Sequence, residues 1–142
     1  MLERLPEELF DPVRKKWVKK TPEEYIRQQV INALHQNYGY PYSRMSIEKQ
    51  IQFFTLKKRF DIVIYDKSIQ PFILVECKSA AKKIDAEVIL QISRYNYILK
   101  VPYLLITNGK MSIVFKRNDD DESWLRVEDI PHFQNLDPRE GY

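Results

Sequence analysis

Apolar and polar positions follow two different periods along the chain, and each change of period marks a new element. Between residues 26 and 34, apolar side chains recur every three or four positions, which is typical of one face of a helix. Thr21 and Pro22 precede this stretch as an N-cap and a first helical residue, and Glu24 completes the pattern of a capping box. The sequence therefore predicts a first helix that starts at Pro22 and ends near Gly39.

Strand patterns follow the first helix. Residues 45–54 alternate between apolar and polar, as a half-buried strand requires. Residues 60–65 and 72–78 predict two further strands, and the second is apolar until its last three positions, as in a central strand covered on both faces. Apolar residues at helical spacing over 84–99 then predict a second helix.

A hairpin is predicted after the second helix. Residues 103–107 and 110–115 are apolar runs joined by Asn108-Gly109, a dipeptide that favours a tight turn between strands. The central strand, the second helix and the first strand of this hairpin form a strand–helix–strand crossover. The predicted order is αβββαββ, which is an α/β fold with a mixed sheet of about five strands flanked by helices.

The length of 142 residues is typical of a single domain. Residues 1–20 show no clean periodicity and are interpreted as an N-terminal arm or short turns. Residues 21–117 hold the predicted helices and strands. Residues 118–142 form a C-terminal extension, acidic at first, in which Trp124 and Leu125 indicate a short element packed on the same domain.

Composition excludes several classes of protein. The one cysteine, Cys77, cannot form an internal disulfide or supply a cysteine-rich zinc site. No stretch approaches the ~20 apolar residues that span a bilayer, and the N-terminus lacks the apolar core of a signal peptide. We therefore expect a cytoplasmic protein without a membrane partner.

Basic residues form two clusters although the formal net charge is only +3. One cluster runs from Arg14 to Lys20 and brackets Trp17, and the other runs from Lys57 to Arg59, directly before Asp61. A solvated surface explains such runs more readily than a nucleic-acid contact does.

The polar end of the central strand is the first candidate for chemistry. Because side chains alternate along a strand, Glu76 and Lys78 point to the same side. Asp61 lies in the preceding strand, and a hairpin between the two strands brings its carboxylate beside that of Glu76. Two adjacent carboxylates repel unless a cation lies between them, and Mg²⁺ prefers oxygen ligands. A strand that simply emerges into water is the alternative.

These residues resemble the signature of the PD-(D/E)xK nuclease superfamily. The segments 58–66, 71–78, 91–95 and 107–109 are similar to the N-terminal nuclease domain of type I restriction enzyme R subunits, and the similarity covers roughly residues 20–117. It implies a restriction-endonuclease-like core. Phe60 stands where the signature has proline, a position that mainly shapes the backbone.

The resemblance also implies roles for individual residues. Asp61, Glu76 and the backbone carbonyl of Cys77 would bind Mg²⁺, for which Mn²⁺ can substitute, and Lys78 would position or activate the attacking water. Glu24 on the first helix would reach the metal site, although the capping box explains this residue equally well. Arg27 and Gln28 follow on the same helix as weaker candidates for a phosphate contact.

Gln91 and Tyr95 match the Gln-x-x-x-Tyr motif of RecB-type nucleases, which implies that Gln91 orients the site or a DNA phosphate while Tyr95 packs beside it. Being four residues apart, they share the face marked by Val88 and Ile92, so we expect Gln91 to face inward. A glutamine bonded only to backbone is the alternative. The basic residues flanking the site would hold a nucleic-acid backbone; they are Lys57, Lys58, Arg59, Lys82 and Lys83.

The sequence thus leads to two hypotheses about function. The first is a metal-dependent nuclease that hydrolyses phosphodiester bonds, with DNA as the favoured substrate and RNA as the second choice. No Gly-rich loop followed by Lys-Ser or Lys-Thr occurs, so the ATP-driven motor of a restriction complex is absent from this chain. The second is a catalytically silent module that binds nucleic acid or joins partner subunits. Oligomeric state is not determined by the sequence.

Overall fold

A computed structural model describes residues 7–79, 83–118, 120–121 and 123–136. In chain order, the helices and strands of this part are β1 (Glu8–Asp11), β2 (Lys16–Lys19), α1 (Pro22–Gln36), β3 (Met45–Phe53), β4 (Leu56–Tyr65), β5 (Pro71–Cys77), α2 (Ala86–Leu99), β6 (Tyr103–Thr107), β7 (Ser112–Arg117) and β8 (Trp124–Val127). Single 3₁₀ turns occur at Tyr42–Arg44 and Phe133–Asn135. Neither helix of the described part has the length and apolar character needed to cross a membrane.

The first helix begins where its capping pattern places it. The side-chain oxygen of Thr21 accepts a hydrogen bond of 3.1 Å from the backbone N–H of Glu24, which satisfies one of the free donors at the helix start. The helix ends at Gln36, three residues before Gly39, whose φ of 77° belongs to the left-handed region that glycine adopts readily. The predicted first helix is confirmed, with an earlier end.

Strands β3 to β8 form one six-stranded sheet in the order β3-β4-β5-β6-β7-β8. Neighbouring strands are antiparallel except β5 and β6, which are parallel and joined by the crossover helix α2. The predicted mixed α/β sheet is confirmed. It gains a sixth strand because the segment that begins at Trp124 pairs with β7 instead of forming a separate packed element.

The sheet is buried on both faces. On one face, Ile62 and Ile73 of the sheet pack with Ile31 and Leu34 of α1, and all four side chains are fully buried. The other face packs against Val88 of α2, with Val63, Leu74 and Leu104. Each such side chain contributes roughly 1.5–3 kcal/mol through burial. Strand β5 supplies side chains to both faces, as expected of a central strand, and this fixes the place where its polar end emerges.

The predicted hairpin after α2 is confirmed, with a longer loop. The side chain of Asn108 accepts hydrogen bonds from the backbone N–H groups of Lys110 and Met111, at 2.9 and 2.7 Å. Its own N–H donates to the carbonyl of Met111 at 3.1 Å. Strand β7 therefore starts at Ser112, and the Asn-Gly pair opens a loop instead of forming the whole turn.

The segment expected to be an arm or short turns contains a hairpin of its own. Strands β1 and β2 pair antiparallel, with Phe10 opposite Trp17. Leu9 and Val18 turn inward on this hairpin, while both aromatic rings face outward. Periodicity gave no warning because each strand has only four residues and alternation over so short a run is not distinctive.

Replacing Ile69 should stabilise the protein. This residue lies in the β4–β5 turn, is 64% exposed and has a φ of 61°, which a β-branched side chain adopts only under strain. We expect Ile69→Gly to raise the free energy of unfolding by about 1 kcal/mol, as measured by urea denaturation. Lys67→Gly in the same turn is the control and should lower it. A loss of stability in Ile69→Gly would show that the turn is unstrained.

Candidate active site

Strands β4 and β5 bring the predicted carboxylates to one place. Their antiparallel register pairs Ile62 with Val75. The next positions, Asp61 on β4 and Glu76 on β5, therefore lie opposite each other at the same end of the strand pair. One carboxylate oxygen of Asp61 accepts a hydrogen bond of 2.7 Å from the backbone N–H of Cys77. This bond holds the Asp61 carboxylate against the end of β5.

The backbone is irregular beside Asp61. Pairing between β3 and β4 is regular on both sides of Glu48 and Asp61 but is interrupted between these two residues, and Glu48 has a φ of 54°. Phe60 and Ile62, two positions apart, pack on opposite faces of the sheet. A non-glycine residue held in the left-handed region often marks a functional position.

Glu76 is a buried carboxyl group with two cationic neighbours. Its residue is only 4% exposed, and one carboxylate oxygen lies 3.2 Å from the Lys58 ammonium and 3.6 Å from that of Lys78. Burial raises the pKa of Glu76 and the nearby charge of Asp61 raises it further, while both lysines act in the opposite direction. The net direction is upward, so the ionised form is held at a cost.

Lys78 lies just past the end of the strand on which it was predicted. Strand β5 ends at Cys77, but the backbone N–H of Lys78 still donates to the carbonyl of Thr107 at 2.7 Å. The chain thus continues along β6, and the ammonium remains on the side of Glu76. Burial raises the pKa of the Cys77 thiol, whose side chain packs against the α1 face of the sheet, so this side chain stays neutral.

Arg27 of α1 lies among three carboxylates. One terminal nitrogen is 3.2 Å from Glu24, and the other is 3.2 Å from Glu48 and 3.2 Å from Asp61. Arg27 is only 6% exposed, and its Nε has no hydrogen-bond partner among the described residues. A buried guanidinium thus joins the first helix to strands β3 and β4.

Glu24 belongs to this cluster, and its carboxylate does not close the capping box. The Thr21 half of the box is formed, but the Glu24 carboxylate accepts from Arg14 at 2.7 Å and from Gln28 at 3.3 Å, besides Arg27. Glu24 is 9% exposed. The structure therefore places it near Asp61 through Arg27, and all three donors to its carboxylate are side chains.

Arg14 connects the cluster to the N-terminal hairpin. Its Nε pairs with Asp11, whose other carboxylate oxygen accepts from the backbone N–H groups of Val13 and Arg14. Burial alone would raise the pKa of Asp11, but the hydrogen bonds from Arg14 and Val13 lower it overall. The hairpin is thus fixed to α1 by charged groups as well as by apolar contact.

Helix α2 does not present Gln91 as expected. Val88 is buried, whereas Gln91 is exposed and lines a surface groove with Glu87, Leu90 and Arg94. The predicted inward orientation is wrong because Gln91 stands one turn after the exposed Glu87, on the exposed face of the helix. The side chain of Tyr95 lies outside the described residues.

The predicted phosphate-binding residues differ in their surroundings. Lys57, Arg59 and Lys83 are exposed, as a contact to nucleic acid requires. Lys58 is turned toward Glu76 instead. Lys82 lies outside the described residues.

The side chains near Asp61 and Glu76 suit one kind of magnesium site. Within the described ranges, no group of three or more carboxylate, imidazole or thiol side chains has the arrangement of a metal site. Mg²⁺, however, is commonly bound through one or two carboxylates, with waters and substrate phosphate filling the other positions. Asp61 and Glu76 fit this open kind of site. Because the pKa of Glu76 is raised, a further cation beside it would stabilise its ionised form.

Sequence reasoning missed the contributions of Glu48 and Arg14. In β3 the apolar alternation fails at Lys49, directly after Glu48, and this gap was the available signal. Arg14 gave no signal, because a cation in a charged run is usually solvated.

Removing the charge of Arg27 should destabilise the fold. In Arg27→Met, the carboxylates of Glu24, Glu48 and Asp61 would face one another without their shared cation, so we expect a loss of about 3 kcal/mol in the free energy of unfolding. Arg59→Met removes the same charge from an exposed position and should change it by less than about 0.5 kcal/mol. Equal unfolding midpoints for both variants would contradict the role of Arg27.

Glu76→Gln should be more stable than the wild-type protein at neutral pH. The folded-state pKa of Glu76 lies above its ordinary value of 4.5, so ionisation costs stability as pH rises through the folded-state pKa. The difference should vanish below pH 4.5, where the carboxyl is protonated in both states. Melting temperatures measured in EDTA across this range test it, with the exposed Glu128→Gln as control. A variant less stable at pH 7 would mean that the lysine contacts outweigh burial.

Comparison with known proteins places the chain in a family. The sequence model described as the N terminus of the type I restriction enzyme R protein (HSDR_N) matches residues 22–131. No curated protein matches.

Two solved structures share the fold. One is a fragment of a candidate HsdR subunit of a type I restriction enzyme from Vibrio vulnificus, with a TM-score of 0.50 and 16% identity over 78% of this chain. The chain spans only 24% of that protein. The other is a candidate nuclease of DUF820 from Anabaena variabilis, with a TM-score of 0.52 and 12% identity over 93% of this chain and 88% of that one.

At these identities the two structures speak for the fold alone, which is the restriction-endonuclease-like core expected from the sequence. The family match, in contrast, covers more than half of the chain. The chain therefore belongs to the family of type I restriction enzyme R protein N termini, and its domain is nuclease-like.

Proposed function

We propose that the chain is a Mg²⁺-dependent endonuclease that hydrolyses phosphodiester bonds of DNA. The observation that carries this proposal is the buried Glu76, held beside Asp61 at the end of β5 with Lys78 at its carboxylate. An ionisable group kept at a cost in stability is typical of a site under functional selection. DNA is favoured because the family is that of a restriction enzyme.

Asp61, Glu76 and the backbone carbonyl of Cys77 are the groups that would hold the metal. Bound Mg²⁺ supplies a Lewis acid for the phosphate and lowers the pKa of a coordinated water. Lys78 carries its ammonium beside Glu76, where it would orient the attacking water and offset the charge that develops on the phosphate.

The neighbouring residues position these groups. The N–H of Cys77 and the guanidinium of Arg27 each hold one oxygen of Asp61, so this carboxylate has a fixed orientation. Lys57, Arg59 and Lys83 are exposed and would bind the nucleic-acid backbone, which makes binding sensitive to salt and largely independent of sequence. The reaction proposed is cleavage alone, without a motor.

A second candidate is a module that binds nucleic acid or partner subunits without cutting. One observation favours it: Arg27, Lys58 and Lys78 already neutralise the carboxylates of Asp61 and Glu76. Asp61→Asn would then leave the biological effect unchanged.

Cleavage assays with matched variants distinguish the two candidates. We expect wild-type protein to cleave duplex, branched or single-stranded DNA in Mg²⁺ or Mn²⁺ and not in EDTA. Asp61→Asn and Lys78→Ala should each lower the rate at least about 100-fold, because each removes a group that acts on the reacting centre. Lys67→Ala, an exposed lysine in the β4–β5 turn, should retain full activity.

Thermal melting gives an independent readout of the metal. Mg²⁺ should raise the melting temperature of the wild-type protein, because a ligand that binds only the folded state stabilises it. It should not raise that of Asp61→Asn. Absence of cleavage on every DNA and RNA substrate, or equal cleavage by Lys78→Ala, would exclude the proposed nuclease mechanism.

A further inference from the structure

The outward face of the β1–β2 hairpin carries two aromatic rings with large exposed surfaces. Phe10 is 49% exposed and Trp17 is 64% exposed. Their ring centroids are 5.4 Å apart at an interplanar angle of 71°, so the rings meet edge to face and a broad surface of Trp17 stays open. An exposed pair of large aromatic side chains is a candidate interaction surface.

The hairpin carries an excess of exposed positive charge. The exposed lysines of the hairpin and of the residue that follows it are Lys15, Lys16, Lys19 and Lys20, against the exposed glutamates Glu7 and Glu8. Lys19 shares the face of the Phe10–Trp17 pair, opposite Glu8, whereas Lys16 stands opposite Asp11 and leaves β2 on the other side. The one buried acid of the hairpin, Asp11, is paired with Arg14 and does not reduce the exposed positive charge.

The hairpin is held in a fixed relation to the candidate active site. Asp11 pairs with Arg14, Arg14 with Glu24, Glu24 with Arg27, and Arg27 with Asp61. The Asp11–Arg14 and Glu24–Arg27 pairs are local, whereas Arg14–Glu24 and Arg27–Asp61 join different parts of the chain. These contacts fix the position of the hairpin on α1, with Phe10 and Trp17 on its opposite, outward face.

We propose that the outward face of Phe10, Trp17 and Lys19, together with the exposed Lys16 that precedes Trp17, binds an unpaired strand of nucleic acid. The bases would stack on the aromatic rings and the phosphates would lie against the lysines. Exposed aromatic side chains interleaved with cations are the elements that bind single strands, because every base offers a stacking face and every nucleotide a negative charge. A paired duplex hides its base faces and gains only the charge contacts.

This binding face lies outside the region shared with the family, since the family model begins at residue 22. The inference rests on the proposed function in taking nucleic acid as the ligand, and it adds the substrate form: a strand that is single at the hairpin, as in a tail, a flap or a junction. A protein partner on the same face is the competing occupant and is an outcome of the test below.

Binding measured in EDTA separates this inference from cleavage. Fluorescence anisotropy with labelled 20-nucleotide oligo(dT), oligo(rU) and a DNA duplex gives three affinities for each variant. We expect the double variant Phe10→Ala/Trp17→Ala to lose about tenfold in single-strand affinity, about 1.4 kcal/mol, for whichever of the two strands the wild-type protein binds more tightly. Its affinity for the duplex should change by less than about twofold, since stacking is absent there.

The lysines have their own expected signature. Lys16→Gln/Lys19→Gln should reduce the slope of log affinity against log salt by about 0.7 for each phosphate contact that is lost. Lys67→Gln/Lys100→Gln, which removes two exposed lysines from turns elsewhere, should leave the slope unchanged. Phe54→Ala removes an aromatic ring that is 83% exposed at the β3–β4 turn and should retain single-strand affinity.

Two further readouts guard against misfolding. Trp17→Phe keeps an aromatic ring and should retain most of the single-strand affinity. In a Trp124→Phe background, the emission of Trp17 should be quenched when oligo(dT) is added, which needs no change in the hairpin.

The inference is overturned by any of three results: unchanged single-strand affinity in the double variant, equal losses for duplex and single strand, or light scattering that shows a dimer dissolved by Trp17→Ala. The last result would assign the face to a second copy of the chain. Single-strand binding without cleavage of any substrate would contradict the proposed nuclease activity but support the proposed binding face. Cleavage together with normal binding by the double variant would support the nuclease activity and contradict the binding face.

Discussion

A buried guanidinium organises the described part of this molecule. Arg27 contacts Glu24 of its own helix, Glu48 of β3 and Asp61 of β4, so one side chain links three elements. Removing two charges from water is expensive, and their attraction compensates only when each charge keeps its partner. Arg27 thus helps to orient Asp61, and through Glu24 and Arg14 it links the N-terminal hairpin to the site, while apolar contacts hold α1 on the sheet.

The same region carries local costs that packing alone does not explain. Glu48 holds a left-handed backbone beside Asp61, and Glu76 keeps a carboxyl group under burial that raises its pKa. Strained backbone and desolvated acids persist only where the surrounding structure fixes them, and they concentrate at functional sites. Here the apolar layers on both faces of β5 supply that support. The apolar packing of the sheet thus offsets the free energy lost at its polar end.

Element types were predictable where local chemistry and periodicity agreed. The Thr21 cap fixed the start of α1, and the unbroken apolar run before Glu76 identified the central strand, because both signals are contained within a few neighbouring residues. The prediction that a hairpin brings Asp61 beside Glu76 is confirmed by the observed register, because the two residues lie on strands that are consecutive along the chain. The short β1–β2 hairpin and the sixth strand were not predicted, because strands of four residues are too short to show a clear period.

The sequence by itself determined the order of the elements from α1 to β7, the two carboxylates on adjacent strands and the family to which they point. Tertiary structure alone decided which cations meet those carboxylates. Arg27, Lys58 and Arg14 all looked like candidates for solvent or phosphate, and each is instead bonded to an acid from a distant part of the chain. Gln91 went the other way, from an expected inward position to the surface. Long-range ion pairs depend on three-dimensional proximity and on burial, and neither is written in the local pattern of residues.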